Sequence, residues 1–166
     1  RVMIETGCAA VKIEGGVEMA DTVRFLTERG IPVMGHIGLK PQSVNINGGF
    51  RPHGFDSSEA LKIKEDAKSI SRAGAFAIVV EGVKPGLAEE ITREIPTVTI
   101  GIGASAECDG QVLVTEDAIG MFSDFTPKFV KRFAEVGVEI NLAVKKYADE
   151  VKTRTFPSSE HYYVKK

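Results

Sequence analysis

The sequence predicts an α/β protein built on a parallel sheet. Apolar strand-like runs alternate with amphipathic helical segments throughout the chain, and three of those runs end on ionisable residues. The three are Val11-Lys12-Ile13-Glu14-Gly15-Gly16, Ile31-Pro32-Val33-Met34-Gly35-His36 and Ala77-Ile78-Val79-Val80-Glu81-Gly82. A buried parallel strand reads as a continuous apolar run, so a charge at its end must be paired, bound to a metal or altered in its proton affinity. In a parallel α/β barrel the strand ends form the floor of the active site. The pattern reads as an enzyme.

Each element has its own signal. Arg1–Glu5 looks like the tail of a helix, and Gly7 stands where a C-cap glycine belongs. Ala9–Glu14 is β-like, and Val17–Arg29 is amphipathic with Met19, Val23 and Leu26 at helical spacing. Gly30 ends that helix and Pro32 opens the strand Val33–His36. The polar, glycine-rich stretch Gly38–Asp56 is long for a connection, and such loops are usually functional or disordered. Ser57–Ala73 is helical with Ser57 or Ser58 as N-cap, and Gly74 closes it. Phe76–Glu81 is a strand, Pro85–Glu94 a short helix, and Thr97–Ile102 and Gln111–Val114 are strands. Pro127–Val136 and Glu139–Lys152 read as two closing helices. Strands and helices at this spacing imply βαβ units. Five strands fit either a small open sheet or part of a closed barrel of roughly 250 residues, and the abrupt start favours the barrel.

Composition narrows the function classes. The 166 residues suit a single domain over 1–166, and 43% hydrophobic content is enough for a sizeable core. Net charge is −2 with both signs interspersed, so no basic face for nucleic acid stands out. Apolar runs such as Ala75–Val80 are too short to span a bilayer, which predicts no membrane association and a cytoplasmic location. Cys8 and Cys108 make neither a disulfide framework nor a zinc site.

Several segments together resemble ketopantoate hydroxymethyltransferase. They are Val11–Gly16, Gly35-His36-Ile37-Gly38-Leu39 running into Pro41-Gln42-Ser43-Val44, Val79–Val83, Ile100–Ala104, Cys108–Val114, and Phe156-Pro157 with Glu160-His161. Any one is weak; their order and spacing over nearly the whole chain are specific. The resemblance implies a (β/α)8 TIM barrel of the phosphoenolpyruvate-utilising type, of which this chain supplies about strands four to eight and the closing helices. It further implies a homo-oligomer, a decamer in that family. The family's first three βα units are absent here, and with them two metal-binding aspartates and a substrate-contacting serine. The implied reaction transfers a hydroxymethyl group from 5,10-methylenetetrahydrofolate to 2-oxoisovalerate through a Mg²⁺-stabilised enolate, giving ketopantoate. Two alternatives stay open: another metal-dependent lyase or mutase acting on an α-keto acid, and a non-catalytic half-barrel.

Four residues carry the expected chemistry. Lys12 and Glu14 are two apart on a strand and share a face, which should look into the barrel because the outer face meets helices. They form either an internal ion pair or a functional pair in which Lys12 meets an oxygen of the keto acid. By resemblance Glu14 belongs to the Mg²⁺ site, directly or through water, as suits a hard cation. His36 is either a satisfied core histidine or, as the resemblance implies, a substrate contact. Glu81 is the expected general base: it follows an apolar run, and desolvation there would make the carboxylate a stronger proton acceptor. A helix cap or a lysine partner is its structural alternative. Ile100–Ala104 is not a dinucleotide fingerprint, and Asp109-Gly110 reads as a turn.

Overall fold

A computed structural model describes residues 1–43, 52–122 and 125–163. The expected alternation of strands and helices is met by five parallel strands in sequential order, β1 (Val11–Glu14), β2 (Val33–Gly38), β3 (Ala77–Glu81), β4 (Val98–Ile102) and β5 (Gly110–Gln111). Helix α1 (Val2–Thr6) ends at Gly7, whose φ of 68° is the left-handed conformation a C-cap glycine supplies. A 3-10 turn over Val17–Met19 leads into α2 (Ala20–Thr27). Helices α3 (Ser57–Arg72) and α4 (Pro85–Glu94) follow β2 and β3, and α5 (Thr115–Ala118) and α6 (Val136–Thr153) follow β5. The sheet is a run of consecutive strands from a (β/α)8 barrel.

Register fixes which side chains share a face. Glu14 lies opposite His36, His36 opposite Val79, and Gly38 opposite Glu81. Because successive residues alternate faces, Lys12, Glu14, Met34, His36, Ala77, Val79, Glu81 and Val98 project from one side of the sheet. Val33, Ile37, Ile78 and Val80 project from the other, where they pack with Val23 of α2, Ile63, Ala67 and Ile70 of α3, and Leu87, Ala88 and Ile91 of α4. That second face is the hydrophobic core. Gly35 shares it and lets α3 approach closely, since a Cβ there would stand 2.5 Å from Ile70 Cγ2.

The chain forms two compact units, Arg1–Val112 and Leu113–Lys166. The first holds the sheet and its covering helices. In the second, α6 has no buried residue, and Ile140, Val144, Tyr147 and Val151 form an exposed apolar stripe at helical spacing.

Three local expectations are corrected. The N-cap of α3 is Asp56, not Ser57 or Ser58; its extended backbone lets the carboxylate accept from Ser58 N at 2.9 Å and Glu59 N at 3.2 Å. The last strand is Gly110–Gln111 rather than Gln111–Val114. Val112 N still donates to Gly101 O, but by Val114 the chain is capping α5. Pro127–Val136 is not a helix: only a turn forms, with Val130 N on Pro127 O. Arg132 holds the irregular segment instead, donating to Phe122 O and Thr126 Oγ1. Phe129 and Phe133 are exposed there, so no apolar stripe is buried to stabilise a helix.

Candidate active site

Three of the four expected residues meet at the C-terminal ends of β1, β2 and β3. His36 is 2% exposed and lies between two carboxylates, with Nε2 3.0 Å from Glu81 Oε2 and Nδ1 3.8 Å from Glu14 Oε1. The Glu81 distance is that of a hydrogen bond, yet its direction is poor. Both ring nitrogens are left without a well-directed partner among the described residues. A buried imidazole without full hydrogen bonding is costly, and a ligand oxygen reaching this floor would satisfy it. Among the described residues, the imidazole has two carboxylates beside it and no well-directed hydrogen bond to either.

Glu14 is held from the far side. Its Oε2 accepts from Gln42 N at 3.2 Å, so the start of the long loop after β2 closes over the end of β1. Lys12 lies one turn of the pleat below on the same face, exposed, and makes no ion pair among the described residues. The internal Lys12–Glu14 pair is not formed, which leaves the ammonium available to an anionic ligand. Glu81 is partly exposed, and among the described residues its carboxylate lies beside His36.

The turns behind these side chains are fastened in sequence-specific ways. Gly15 N donates to His36 O at 3.0 Å, tying the end of β1 to β2. At the end of β3, His53 N donates to Gly82 O and Lys84 N to His53 O, so the returning end of the long loop adds a bridge beside Val83. Glu59 secures that return: Oε1 lies 2.8 Å from His53 Nδ1 and Oε2 accepts from Gly54 N at 2.7 Å. Positions 44–51 of the Gly38–Asp56 stretch, whose length pointed to a functional or disordered loop, lie outside the described residues. Asp109 is structural: its carboxylate accepts from Thr99 N and Oγ1, and those bonds hold it below the usual carboxylate range.

Sequence reasoning missed Asp66. It lies in the buried stripe Ile63–Asp66–Ala67–Ile70 of α3, and a carboxylate among apolar positions at helical spacing was the available signal. Asp66 accepts from Val17 N at 2.9 Å. It also lines a cavity of about 140 Å³ on the helix-covered side of the sheet, with Gly16, Lys40, His53 and Lys62. None of Lys12, Glu14, His36 and Glu81 lines that cavity, so the open face with the buried imidazole is the better candidate.

Among the described residues, no group of three or more His, Cys, Asp or Glu side chains converges to hold a metal. Glu14 alone fits a Mg²⁺ ion as one carboxylate, since that ion is commonly bound through one or two carboxylates with water and substrate completing its shell.

Sequential parallel strands, helices over one face and ionisable groups at the strand ends of the other are the architecture of an α/β-barrel enzyme, of which this chain supplies part. Residues 1–159 match the family model for ketopantoate hydroxymethyltransferase. The 3-methyl-2-oxobutanoate hydroxymethyltransferase of Paramagnetospirillum magneticum is 61% identical over 163 residues, covering 98% of this chain and 60% of that protein. Those of Rhodospirillum centenum and Sinorhizobium medicae are each 58% identical over 98% of this chain, and the match covers 59% and 60% of their lengths. The chain belongs to the ketopantoate hydroxymethyltransferase family and spans about 60% of the length of these relatives.

Proposed function

We propose that this chain carries the proton-abstracting and substrate-orienting half of an enzyme that transfers a hydroxymethyl group to 3-methyl-2-oxobutanoate, yielding ketopantoate. The observation that carries the reading is the buried His36 set between Glu14 and Glu81 at three adjacent strand ends. The family names of the relatives supply the substrate; 5,10-methylenetetrahydrofolate is the proposed one-carbon donor.

The chemical problem is to make a nucleophile of a carbon that holds its proton firmly. Glu81 takes the proton from C3 of the keto acid, the carbon next to the carbonyl. His36 offers a ring N–H to the substrate's oxygens, and Lys12 meets its carboxylate as a charge-assisted contact. A Mg²⁺ ion, held in part by Glu14, would supply Lewis-acid stabilisation of the keto oxygen when bound. Gln42 N, bonded to Glu14 Oε2, covers the end of β1, and excluding water there would strengthen each of these contacts. The exposed apolar stripe of α6 supports assembly into a homo-oligomer.

The test is proton exchange at C3 of 3-methyl-2-oxobutanoate in deuterated water, followed by NMR. Glu81→Gln should slow exchange by about 10²–10⁴-fold while keto-acid binding persists. Undiminished exchange in that variant would overturn the assignment of Glu81.

A further inference from the structure

We infer that Asp66, on α3 behind the sheet, is a positioning residue that sets where Glu14 stands. This rests on the reading of Glu14 given above, and three observations carry it.

The turn that follows Glu14 is clamped at two points only a few residues apart. Gly15 N is bonded to His36 O, and Val17 N is bonded to Asp66 Oδ1 at 2.9 Å. The first bond joins β1 to β2; the second joins the turn to a helix 49 residues along the chain. Removing the second would leave the turn held by the first, by Met19 N on Gly16 O and by the exposed Lys40–Glu18 pair, none of which reaches α3.

The turn is also shaped to receive the carboxylate. A Cβ on Gly16 would fall 1.9 Å from both Cγ and Oδ1 of Asp66, and one on Gly15 2.4 Å from Met19 Cγ. Gly15 has a φ of 135°, which side chains rarely adopt. The Glu-Gly-Gly run therefore lets the backbone come down onto Asp66, and Glu14 is the residue immediately before it.

Finally, Asp66 is 7% exposed on the apolar stripe of α3, where an aliphatic residue would serve packing better. Burial pushes its carboxyl upward and Glu18 adds to that, while the Val17 N–H and the charges of Lys62 and Lys40 oppose it. A buried acceptor that serves one backbone N–H in the turn after a site carboxylate has a positional purpose. Misplacing a reacting group by about 1 Å can cost on the order of 10²-fold in rate.

The test is a double-mutant cycle in the intact protein. Asp66→Ala should lower kcat for hydroxymethyl transfer by about 10–100-fold. Asp66→Asn, which keeps an acceptor for Val17 N, should stay within about threefold of the parent. Glu14→Gln should also lower kcat, and adding Asp66→Ala to it should lower kcat no further. In the metal-free protein, the Val17 amide should exchange with solvent at least about tenfold faster in Asp66→Ala and unchanged in Asp66→Asn. If Asp66→Ala costs as much in the presence of Glu14→Gln as in its absence, the inference falls. A large loss in Asp66→Asn, or unchanged Val17 exchange in Asp66→Ala, would each overturn it as well. A normal kcat in Glu14→Gln would instead overturn the reading of Glu14, and the inference with it. If Asp66→Ala does not fold, Gly16→Ala takes its place in the cycle, because its Cβ displaces the same carboxylate.

Discussion

The two faces of the sheet are made from the same strands and obey different rules. On the helix-covered face, Val33, Ile78 and Val80 have no exposure and Ile37 has 1%, and each is apolar. On the opposite face Lys12 is exposed, Val98 is 46% exposed, and the deepest side chain at the strand ends is an imidazole between carboxylates. One face is optimised for packing density; the other tolerates polar groups that lack full hydrogen bonding. The separation is one of degree, since Ala77 and Val79 are buried on the open face and Thr99 on the covered one.

Substitution can break that separation or sharpen it. Ile78→Ala on the covered face should destabilise by about 2–5 kcal/mol. Gly35→Ala, which drives a Cβ to 2.5 Å from Ile70 Cγ2, should cost about 1–3 kcal/mol by overpacking. Val98→Ala on the open face should cost under about 1 kcal/mol. Denaturant unfolding compares the three variants directly, and equal losses in Ile78→Ala and Val98→Ala would mean the faces are energetically alike.

Lys12→Ala tests the open face in the other direction. It should leave the unfolding midpoint nearly unchanged and raise KM for the proposed keto-acid substrate by about tenfold, the lower range for a charge-assisted contact. An unchanged KM would remove Lys12 from the substrate's reach.

The smallest effect concerns Asp66, whose carboxyl burial raises above its ordinary value of about 3.9. Between that value and the higher folded one, the folded protein binds more protons than the unfolded chain. Stability therefore falls as pH rises through this window. Asp66→Asn removes the dependence, so its stability relative to the parent should be most favourable above the window and decline as pH drops through it toward about 3.9. Urea titrations at several pH values would show a flat difference if Asp66 were not linked to folding.

Much of this was legible in the sequence because it depends on short-range periodicity. Lys12, Glu14, His36 and Glu81 stand out as ionisable residues ending apolar runs, and a strand's two-residue repeat fixes the face they share. The alternation of elements is equally local, and Pro85–Glu94 is found with the bounds its proline and pattern predict. What escaped depends on distant partners. Nothing near Asp66 in sequence names Val17 as its donor, so only the helical stripe hinted that it was special. Asp56, Ser57 and Ser58 are all of types that cap, and the extended backbone that makes Asp56 the cap is not written in residue type. Residues 127–136 carry aromatic residues with no buried surface to order them, so propensity alone misled.

The sequential strand order also bears on how the chain acquires its structure. Every pair joins a strand to its predecessor, but the closures are unequal. Met34 pairs with Ala77, about twice the separation of Val11 from Val33 or of Ala77 from Val98. Doubling a loop adds about 0.6 kcal/mol of closure entropy. The β2–β3 pairing is the one that brings His36 to Glu81, so the seam that assembles the proposed catalytic pair carries the largest closure entropy of these three. A chain with β1 joined to β2 and β3 to β4 still lacks the proposed catalytic pair until β2 meets β3.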